Sequence, residues 1–256
     1  MAAEAGGSDP GASMTSAGQV VVVGGSRGLG KLISERFGSL GHPVTVISRN
    51  AMAADQVNHV AADLEQLQDA GELAQEVLRY GKIRYLIFSQ RYRGAGDPWA
   101  GELQVTLNAT RLIIEGLQDH FVTDGDRAVG VVSSVYAEFV GGSQPAGYHV
   151  AKAGLNQLVK YNAWVLGRKG IRVNSIMPLT YLKPESRDFY LQNSALMDLY
   201  KNFVPIGRIG EAADCVDLVE FLCSAKAAFI NGQSIFVDGG VSVVWPEELA
   251  RSMAAL

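Results

Sequence analysis

Tyr148 and Lys152 lie four residues apart in GYHVAKAG (147–154), a stretch with no other charged residue. In a helix, this spacing places two side chains on one face. A free phenol has a pKa of about 10, so its use as a base at neutral pH needs a shift of about three units, or roughly 4 kcal/mol. A neighbouring ammonium group favours the phenolate. The octapeptide alone also fits an exposed surface pair, so the rest of the chain must decide.

The sequence VGGSRGLG (23–30) follows the first apolar stretch and carries glycines at 24, 28 and 30. Where a strand becomes a helix, Gly24 would permit a sharp turn, Gly28 a close approach to a diphosphate, and Gly30 close packing of helix on strand. Free N–H groups at such a helix N-terminus attract phosphates. A lone glycine cluster also fits an ordinary tight turn. Its position at the first strand–helix junction predicts a dinucleotide site.

Short apolar stretches alternate with longer helical patterns along the chain. The first, QVVVVG, shows no polar alternation, as expected of a strand covered on both faces. The predicted strands are 19–24, 43–48, 58–63, 84–89, 128–133, 171–177 and 233–238. The predicted helices are 29–40, 65–79, 99–120, 146–167, 185–202 and 211–223. This alternation predicts one α/β domain over residues 18–256, with a doubly wound parallel sheet of about seven strands and helices on both faces.

The first seventeen residues are small and polar. They lack the basic start and apolar core of a secretory signal. We expect residues 1–17 to form a flexible tail, with Met14 as a candidate for the true start.

Composition argues against several classes of function. A net charge of -4 and a pI of about 5.6 do not suit a nucleic-acid binder, which usually shows a basic face. No apolar run approaches the roughly 20 residues of a membrane span. The four histidines, at 42, 59, 120 and 149, lack metal-ligand spacing, so no metal site is predicted. Cys215 and Cys223 lie in one apolar helical stretch and are expected to be core thiols in a reduced compartment, which indicates the cytoplasm.

The glycine spacing G-x-x-x-G-x-G resembles that of the short-chain dehydrogenase/reductase family. The resemblance extends from residue 19 to about residue 244, through AADL (61–64), SS (133–134), Tyr148-x-x-x-Lys152, IRVNSIMP (171–178), PIGRIG (205–210) and INGQSIFVDGG (230–240). It implies a Rossmann fold and an NAD(P)H-dependent oxidoreductase acting on a small carbonyl or alcohol substrate. It also implies a homodimer or homotetramer, formed through paired long helices and the C-terminal strand.

The resemblance implies three catalytic residues. Tyr148 would protonate a carbonyl oxygen during reduction, or act as the base in the reverse direction. Lys152 would hold the nicotinamide ribose, and its charge, together with that of the oxidised nicotinamide, would lower the phenol pKa. Ser134 would orient the substrate oxygen, with Ser133 as the alternative. The gap from Ser134 to Tyr148 is one residue longer than is usual in the family, so we expect a longer loop.

The resemblance also implies the cofactor contacts, which include Asp63 at the adenine. They are Gly24, Ser26, Arg27, Gly28, Leu29, Gly30, Ser48, Arg49, Asn50, Asp63, Leu64, Ser89, Gln90, Tyr148, Lys152, Pro178 and Tyr181. Ser48 stands where an acid would favour NAD. Two guanidinium groups, of Arg49 and Arg27, with no carboxylate predict NADP(H). Solvated helix-cap charges are the alternative interpretation of both arginines.

Three positions depart from the family pattern. Phe88-Ser89-Gln90-Arg91 replaces the usual N-N-A-G, so contacts to the adenosine ribose must differ. Thr106 takes the place of a helix asparagine that holds a water in the family's proton relay, and Asn108, two positions on, would face another direction. Leu179 replaces the glycine that follows Pro178.

Two segments offer an unusual number of cations and aromatic groups near the expected substrate. QRYRG (90–94) carries Arg91, Tyr92 and Arg93, and TYLKPESRDFY (180–190) carries Tyr181, Lys183 and Arg187. If both segments line the site, the substrate is anionic or carries a phosphate. If they do not, they are solvated loops.

Three functions remain open at this point. The first is an NADPH-dependent ketoreductase. The second is an alcohol or sugar dehydrogenase that runs the same site in reverse. The third is a weakly catalytic cofactor-binding scaffold or sensor, suggested by the altered asparagine and N-N-A-G positions. The presence of Ser134, Tyr148 and Lys152 together favours an enzyme.

Overall fold

The computed structural model describes residues 18–50 and 57–254, so the expected tail (1–17) lies outside the described residues. Its main sheet has seven parallel strands in the order β3-β2-β1-β4-β5-β6-β9. The strands are β1 (Gln19–Val23), β2 (Val44–Ser48), β3 (Val57–Ala61), β4 (Ile83–Phe88), β5 (Ala128–Val132), β6 (Arg172–Pro178) and β9 (Ser234–Val237). The predicted fold class, a doubly wound parallel sheet, is confirmed.

Helices cover both faces of this sheet. They are α1 (Gly28–Ser39), α2 (Gly71–Leu78), α3 (Pro98–Glu102), α4 (Ala109–Leu117), α5 (Ala146–Gly167), α6 (Arg187–Leu191), α7 (Ser194–Phe203), α8 (Ala212–Cys223) and α9 (Pro246–Met253). The apolar residues of α1 and α8 form the core on one face, and those of α2, α4 and α5 form the core on the other. Parallel strands need such crossover helices, which is why the sheet is buried on both sides.

Strand β1 shows why a strand at the centre of this sheet carries a run of apolar residues. Val20 and Val22 belong to the core beneath α1 and α8, whereas Val21 and Val23 belong to the core beneath α2, α4 and α5. All four side chains are fully buried. Alternation of side chains along the strand therefore sends successive valines into opposite cores, so both faces of this strand favour apolar residues.

The structure corrects several predicted boundaries. The helix expected over 99–120 is α3 and α4 joined by a π-helical segment, Leu103–Asn108. The helix expected over 65–79 is confined to α2, and the one expected over 185–202 is divided into α6 and α7. The sequence did not predict α9 or the two-residue parallel pair β7 (Tyr181–Leu182) and β8 (Gly210–Glu211).

The strand order places a functional crevice. Successive crossovers run to one side of β1, through β2 and β3, and then to the other side, through β4, β5 and β6. Because the strands are parallel, their carboxyl ends share one edge, and the change of direction beside β1 opens a gap between the loops there. The glycine-rich turn follows β1 directly, so this turn borders the gap.

Candidate active site

A cavity of about 880 Å³ lies at the carboxyl ends of β1, β2, β4, β5 and β6. All the predicted site residues line it except Gly30. The structure thus brings together residues from position 24 to position 181 of the chain in one continuous site. A cavity of this size at a sheet's switch point suits a dinucleotide with a small substrate.

The glycine-rich turn is shaped so that side chains would not fit. Gly24 has a φ of 77°, and a Cβ there would lie 2.8 Å from the backbone N and Cα of Gln90. A Cβ on Gly30 would lie 3.0 Å from the carbonyl carbon of Gly24 and in still closer contact with its oxygen. Gly30 therefore lets α1 pack against the turn rather than contacting the cavity. These cradles fit the phosphates of a dinucleotide.

The N-terminus of α1 already binds one anionic group. The N–H of Gly28 donates a hydrogen bond of 2.9 Å to Oε1 of Glu185, which comes from the segment before α6. Hydrogen bonds from the amides of Glu185 itself and of Gly28 hold the pKa of this carboxyl below its usual value, against the opposing effect of partial burial. The carboxylate thus uses a donor that a cofactor phosphate would also use.

The end of the cavity beside β2 departs from the expectation in one respect. Ser48, and not an acid, stands at the end of β2, as the sequence shows. Its Oγ donates a hydrogen bond of 2.7 Å to the carbonyl of Asn50. However, Nη1 of Arg49 lies 3.2 Å from Oε1 of Glu65, sixteen residues away in sequence. The expectation of two guanidinium groups without a carboxylate is therefore wrong at Arg49, whereas Arg27 lines the cavity with no such ion pair among the described residues.

Gln90 occupies the segment that replaces N-N-A-G. Its Nε2 donates to Oγ1 of Thr110 at 2.7 Å, while its Oε1 is buried and has no hydrogen-bond partner among the described residues. A buried acceptor without a partner is costly. A ribose hydroxyl would satisfy it, so Gln90 fits the cofactor although it departs from the family pattern.

The three predicted catalytic residues lie together beyond β5. Tyr148 and Lys152 are on the first turns of α5, with Nζ of Lys152 5.7 Å from the centroid of the phenol ring. This Nζ donates to the carbonyl of Val132 at 2.8 Å. Ser134 follows β5, and its hydroxyl is close enough to lower the pKa of the Tyr148 phenol. Ser133 instead directs its Oγ to the backbone carbonyl of Lys152, at 3.4 Å, so Ser134 is the better placed serine.

Comparison with known proteins agrees with this site. A family model described as "Enoyl-(Acyl carrier protein) reductase" matches residues 92–242, more than half of the chain. The chain belongs to the short-chain dehydrogenase/reductase family. It is therefore an NAD(P)-dependent oxidoreductase that acts on alcohol or carbonyl groups.

Individual relatives cover most of this short-chain dehydrogenase/reductase. A probable 2,4-dienoyl-CoA reductase of Bacillus subtilis is 27% identical over 243 residues, 86% of this chain and 95% of the relative. Dehydrogenase/reductase SDR family member 4 of Rattus norvegicus is 28% identical over 240 residues, 86% of this chain and 85% of the relative. The ligand-free aldohexose dehydrogenase of Thermoplasma acidophilum has the same fold, with a TM-score of 0.78, 23% identity, and coverage of 90% of this chain and 95% of that one.

Burial sets the protonation of the two central residues of this family member. It raises the pKa of Tyr148, and the effects of the nearby Ser134 hydroxyl and Arg91 only partly offset it. The direction is opposite to that expected from the sequence, where the Lys152 ammonium was paired with a charged nicotinamide. Burial also lowers the pKa of Lys152 to about 8. In the protein alone, the phenol is therefore protonated at neutral pH.

The sequence did not point to Glu102, which is buried with only 2% of its surface exposed. Its Oε2 accepts a hydrogen bond of 2.7 Å from Oγ1 of Thr106, the residue at the relay asparagine's position. The negative charge of Glu102 raises the pKa of both Tyr148 and Lys152. Only the packing of α3 against α5 brings this carboxylate to the site.

The cation-rich segments line the cavity in part. Arg91, Arg93, Tyr181 and Lys183 border it. Tyr92 does not, because its ring is buried in the core beside Gly94 and Gly101. Arg187 does not line it either, and its Nη2 lies 3.7 Å from Oε1 of Glu211. The condition that both segments line the site is therefore met by four of these six residues and not by Tyr92 or Arg187.

Two structural findings bear on other classes of protein. Within residues 18–50 and 57–254, no helix combines the length and the apolarity that crossing a bilayer requires. The same part of the chain contains no group of three or more His, Cys, Asp or Glu side chains arranged to hold a metal ion.

Proposed function

We propose that this protein is an NADPH-dependent ketoreductase, which reduces a carbonyl on a small molecule to an alcohol. The observation that carries the proposal is the grouping of Ser134, Tyr148 and Lys152 in the cavity that the glycine-rich turn borders. Burial raises the pKa of the phenol, so in the protein alone Tyr148 carries the proton that reduction of a carbonyl requires. The reverse dehydrogenase reaction would need that proton removed first.

The residues that would hold the cofactor are those of the glycine-rich turn, with Asp63 towards the adenine and Gln90 towards a ribose. When bound, NADPH supplies a hydride to the carbonyl carbon and becomes NADP⁺. Preference for the phosphorylated cofactor rests on Arg27 and on the absence of an acid at Ser48. Glu65, which pairs with Arg49, weakens that preference by occupying one of the two guanidinium groups.

The protein's own groups complete the reduction. The hydroxyl of Ser134 donates a hydrogen bond to the carbonyl oxygen and orients it beside Tyr148. The phenol then transfers its proton to the same oxygen as negative charge develops there, so the product is a neutral alcohol. Lys152, held by the carbonyl of Val132, places a positive charge beside the phenolate that remains.

The test is NADPH consumption, followed by absorbance, with a panel of ketones and aldehydes. Tyr148→Phe should lower kcat by at least about a hundredfold, because general acid catalysis contributes on this scale, and it should leave the Kd of NADPH within about threefold. Side-by-side titration with NADPH and NADH tests the cofactor preference. Equal or tighter binding of NADH contradicts it, and full activity of Tyr148→Phe contradicts the enzymatic proposal in favour of a cofactor-binding scaffold.

We also propose that the protein is a cytoplasmic homo-oligomer. The cytoplasmic location is supported by Cys215 and Cys223, two free and buried thiols whose pKa burial raises to about 12. Association is supported by Tyr161 and Trp164, large aromatic side chains that α5 exposes on its outer face.

A further inference from the structure

Beside the catalytic tyrosine lies the cation Arg91, which has no anionic partner within residues 18–50 and 57–254. Its Cζ lies 5.4 Å from the centroid of the Tyr148 ring, and its Nη2 donates to the neutral Oε1 of Gln144 at 3.3 Å. Its Nε is buried with no hydrogen-bond partner among the described residues. A partly buried guanidinium group in this condition is destabilising, because hydration has been removed and nothing ionic replaces it.

Two further cations face the same part of the cavity. Lys183 lies with its Nζ 5.2 Å from the centroid of the Tyr181 ring. Arg93 also lines the cavity and is exposed. Burial lowers the pKa of both groups. The charges of Arg91 and Arg27 lower the pKa of Arg93 further, and those of Arg93 and Arg91 lower the pKa of Lys183 further. The three positive charges therefore oppose one another in the protein alone.

A carboxylate that acts on this cluster, that of Glu185, does not neutralise it. Glu185 influences Arg93 and Lys183 electrostatically, but its Oε1 accepts the hydrogen bond from Gly28 at the N-terminus of α1. The other acids that line the cavity, Asp63 and Glu65, lie at the end beside β2 and β3, where Glu65 pairs with Arg49. Glu102 acts on Tyr148 and Lys152 and accepts a hydrogen bond from Thr106, and the described residues show no ion pair between it and any of the three cations. An excess of positive charge thus remains at the end that contains Tyr148.

We propose that Arg91, with Lys183 and Arg93, binds an anionic group on the substrate, either a carboxylate or a phosphate ester. This inference rests on the proposed ketoreductase function and names its substrate class. The planar fork of an arginine matches two oxygens of either anion. Because Arg91 lies directly over the phenol ring, the anionic group is within a few bonds of the carbonyl that Tyr148 protonates. Short oxo-acids and phosphorylated ketones meet this requirement.

Matched pairs of carbonyl compounds test the inference: levulinate against methyl levulinate, and dihydroxyacetone phosphate against dihydroxyacetone. We expect kcat/KM to be at least about tenfold higher for the anionic member of at least one pair. Arg91→Gln should abolish that preference, and Arg91→Lys should restore part of it, because the charge remains but the fork is lost. A preference within the levulinate pair indicates a carboxylate on the substrate, and a preference within the dihydroxyacetone pair indicates a phosphate.

Arg187→Gln is the matched control, since Arg187 lies on the same segment as Lys183 but pairs with Glu211 outside the cavity. It should keep the wild-type preference. A wild-type enzyme that favours the uncharged members, or an anionic preference that Arg91→Gln leaves intact, overturns the inference.

Binding measurements decide the matter if none of the four probes is reduced. With saturating NADPH, levulinate or inorganic phosphate should raise the Tm of the wild type and not that of Arg91→Gln; no rise in the wild type overturns the inference. The Kd of NADPH is measured for each variant, because cofactor phosphates carry the same charge. If Arg91→Gln weakens NADPH binding and leaves the anion response unchanged, Arg91 serves the cofactor, and only the substrate inference fails. If the wild type does not bind NADPH at all, the proposed function itself fails.

Discussion

Lys152 is a positive charge at a place where burial opposes charge. Its pKa is lowered to about 8, mainly by burial, while the charge of Glu102 acts in the opposite direction and that of Arg91 adds to the lowering. In the unfolded chain, a lysine has a pKa of about 10.4 and so keeps its proton until the pH approaches that value. Between these values the unfolded state binds more protons than the folded state, so stability must rise with pH across this window.

This sign gives a measurable prediction. From about pH 8 to about pH 9.5, the free energy of unfolding of the wild type should rise by about 1.5 kcal/mol relative to Lys152→Met, whose side chain has similar length and no charge. Urea unfolding at both pH values gives the difference. The window stops below pH 10, where tyrosines of the unfolded chain begin to ionise. Parallel pH dependence in the two proteins would show that Lys152 titrates as an exposed lysine does.

Glu102 offers a second prediction at the residue scale. Its charge favours the ammonium of Lys152, so Glu102→Gln should lower the lysine pKa further and move the alkaline limb of the kcat profile to lower pH, by about one unit. The groups that face Lys152 are Glu102 on α3, Arg91 after β4, and Tyr148 on its own helix. The profile, rather than the rate at one pH, separates an electrostatic role from a loss of packing.

The control for this substitution is Glu115→Gln, on the exposed side of α4, where the carboxylate pairs with Arg111. It removes the same charge without reaching the cavity, so its pH profile should match that of the wild type. An unshifted alkaline limb in Glu102→Gln would assign Glu102 only to the support of Thr106.

Single residues also show which parts of the site can be predicted from the sequence. The resemblance of short motifs to those of the family implied that Ser134, Tyr148 and Lys152 belong to the site, and all three line the cavity, one after a strand and two at the start of a helix. The burial of Glu102 and the ion pair of Arg49 with Glu65 could not be predicted in this way. Both depend on how separate elements pack, and no local pattern encodes the distance between them.

At the scale of elements, the π-helical segment is a departure from the predicted helix over 99–120, which is otherwise helical from Pro98 to Leu117. Apolar residues recur at helical spacing over 99–120, so the sequence predicts one continuous helix. The segment Leu103–Asn108 is π-helical, and the apolar periodicity of the sequence does not reveal such a segment. Such segments are frequent at functional sites, and this one contains Thr106, whose hydroxyl contacts Glu102.

The glycine-rich turn makes a prediction that belongs to this scale. Gly30→Ala places a methyl group against the carbonyl of Gly24, so α1 must shift away from β1. Overpacking of this kind costs about 1–3 kcal/mol. We expect that loss in the free energy of unfolding, together with at least tenfold weaker NADPH binding, because the N–H groups of α1 move with the helix. Urea unfolding and cofactor fluorescence measure the two effects.

Gly142→Ala provides the comparison. Gly142 lies in the loop before α5, and a Cβ there meets no atom within 4 Å. Its stability and its NADPH affinity should stay near those of the wild type, apart from a small gain from reduced chain entropy on unfolding. Equal behaviour of the two alanine variants would mean that α1 adjusts freely and that the turn is not a rigid cradle.

For the molecule as a whole, the covered sheet leaves the outer faces of the helices as the available contact surfaces. On α5, Tyr161 and Trp164 are 61% and 63% exposed, and the guanidinium of Arg168 lies 4.5 Å from the Trp164 ring. Near the C-terminus, Phe229 and Trp245 are also largely exposed. Sequence patterns predicted the buried faces of these elements well, because burial within one chain follows periodicity. Sequence patterns did not show whether the outer faces of these helices contact solvent or a second copy of the chain.

Two substitutions test separately whether the exposed face of α5 and the C-terminal segment form contacts between copies of the chain. Trp164→Glu places a charge in the centre of the proposed α5 contact, where it would be desolvated without a partner, so the protein should become monomeric. Trp245→Glu should leave a dimer if α5 forms the primary contact, and should reduce a tetramer to that dimer if the C-terminal segment forms a second one. Light scattering after size exclusion gives the masses, in units of the 27.4 kDa chain. A wild type that is monomeric at micromolar concentration, or a Trp164→Glu protein with the wild-type mass, contradicts an interface on α5, because neither aromatic ring would then be buried by a second copy.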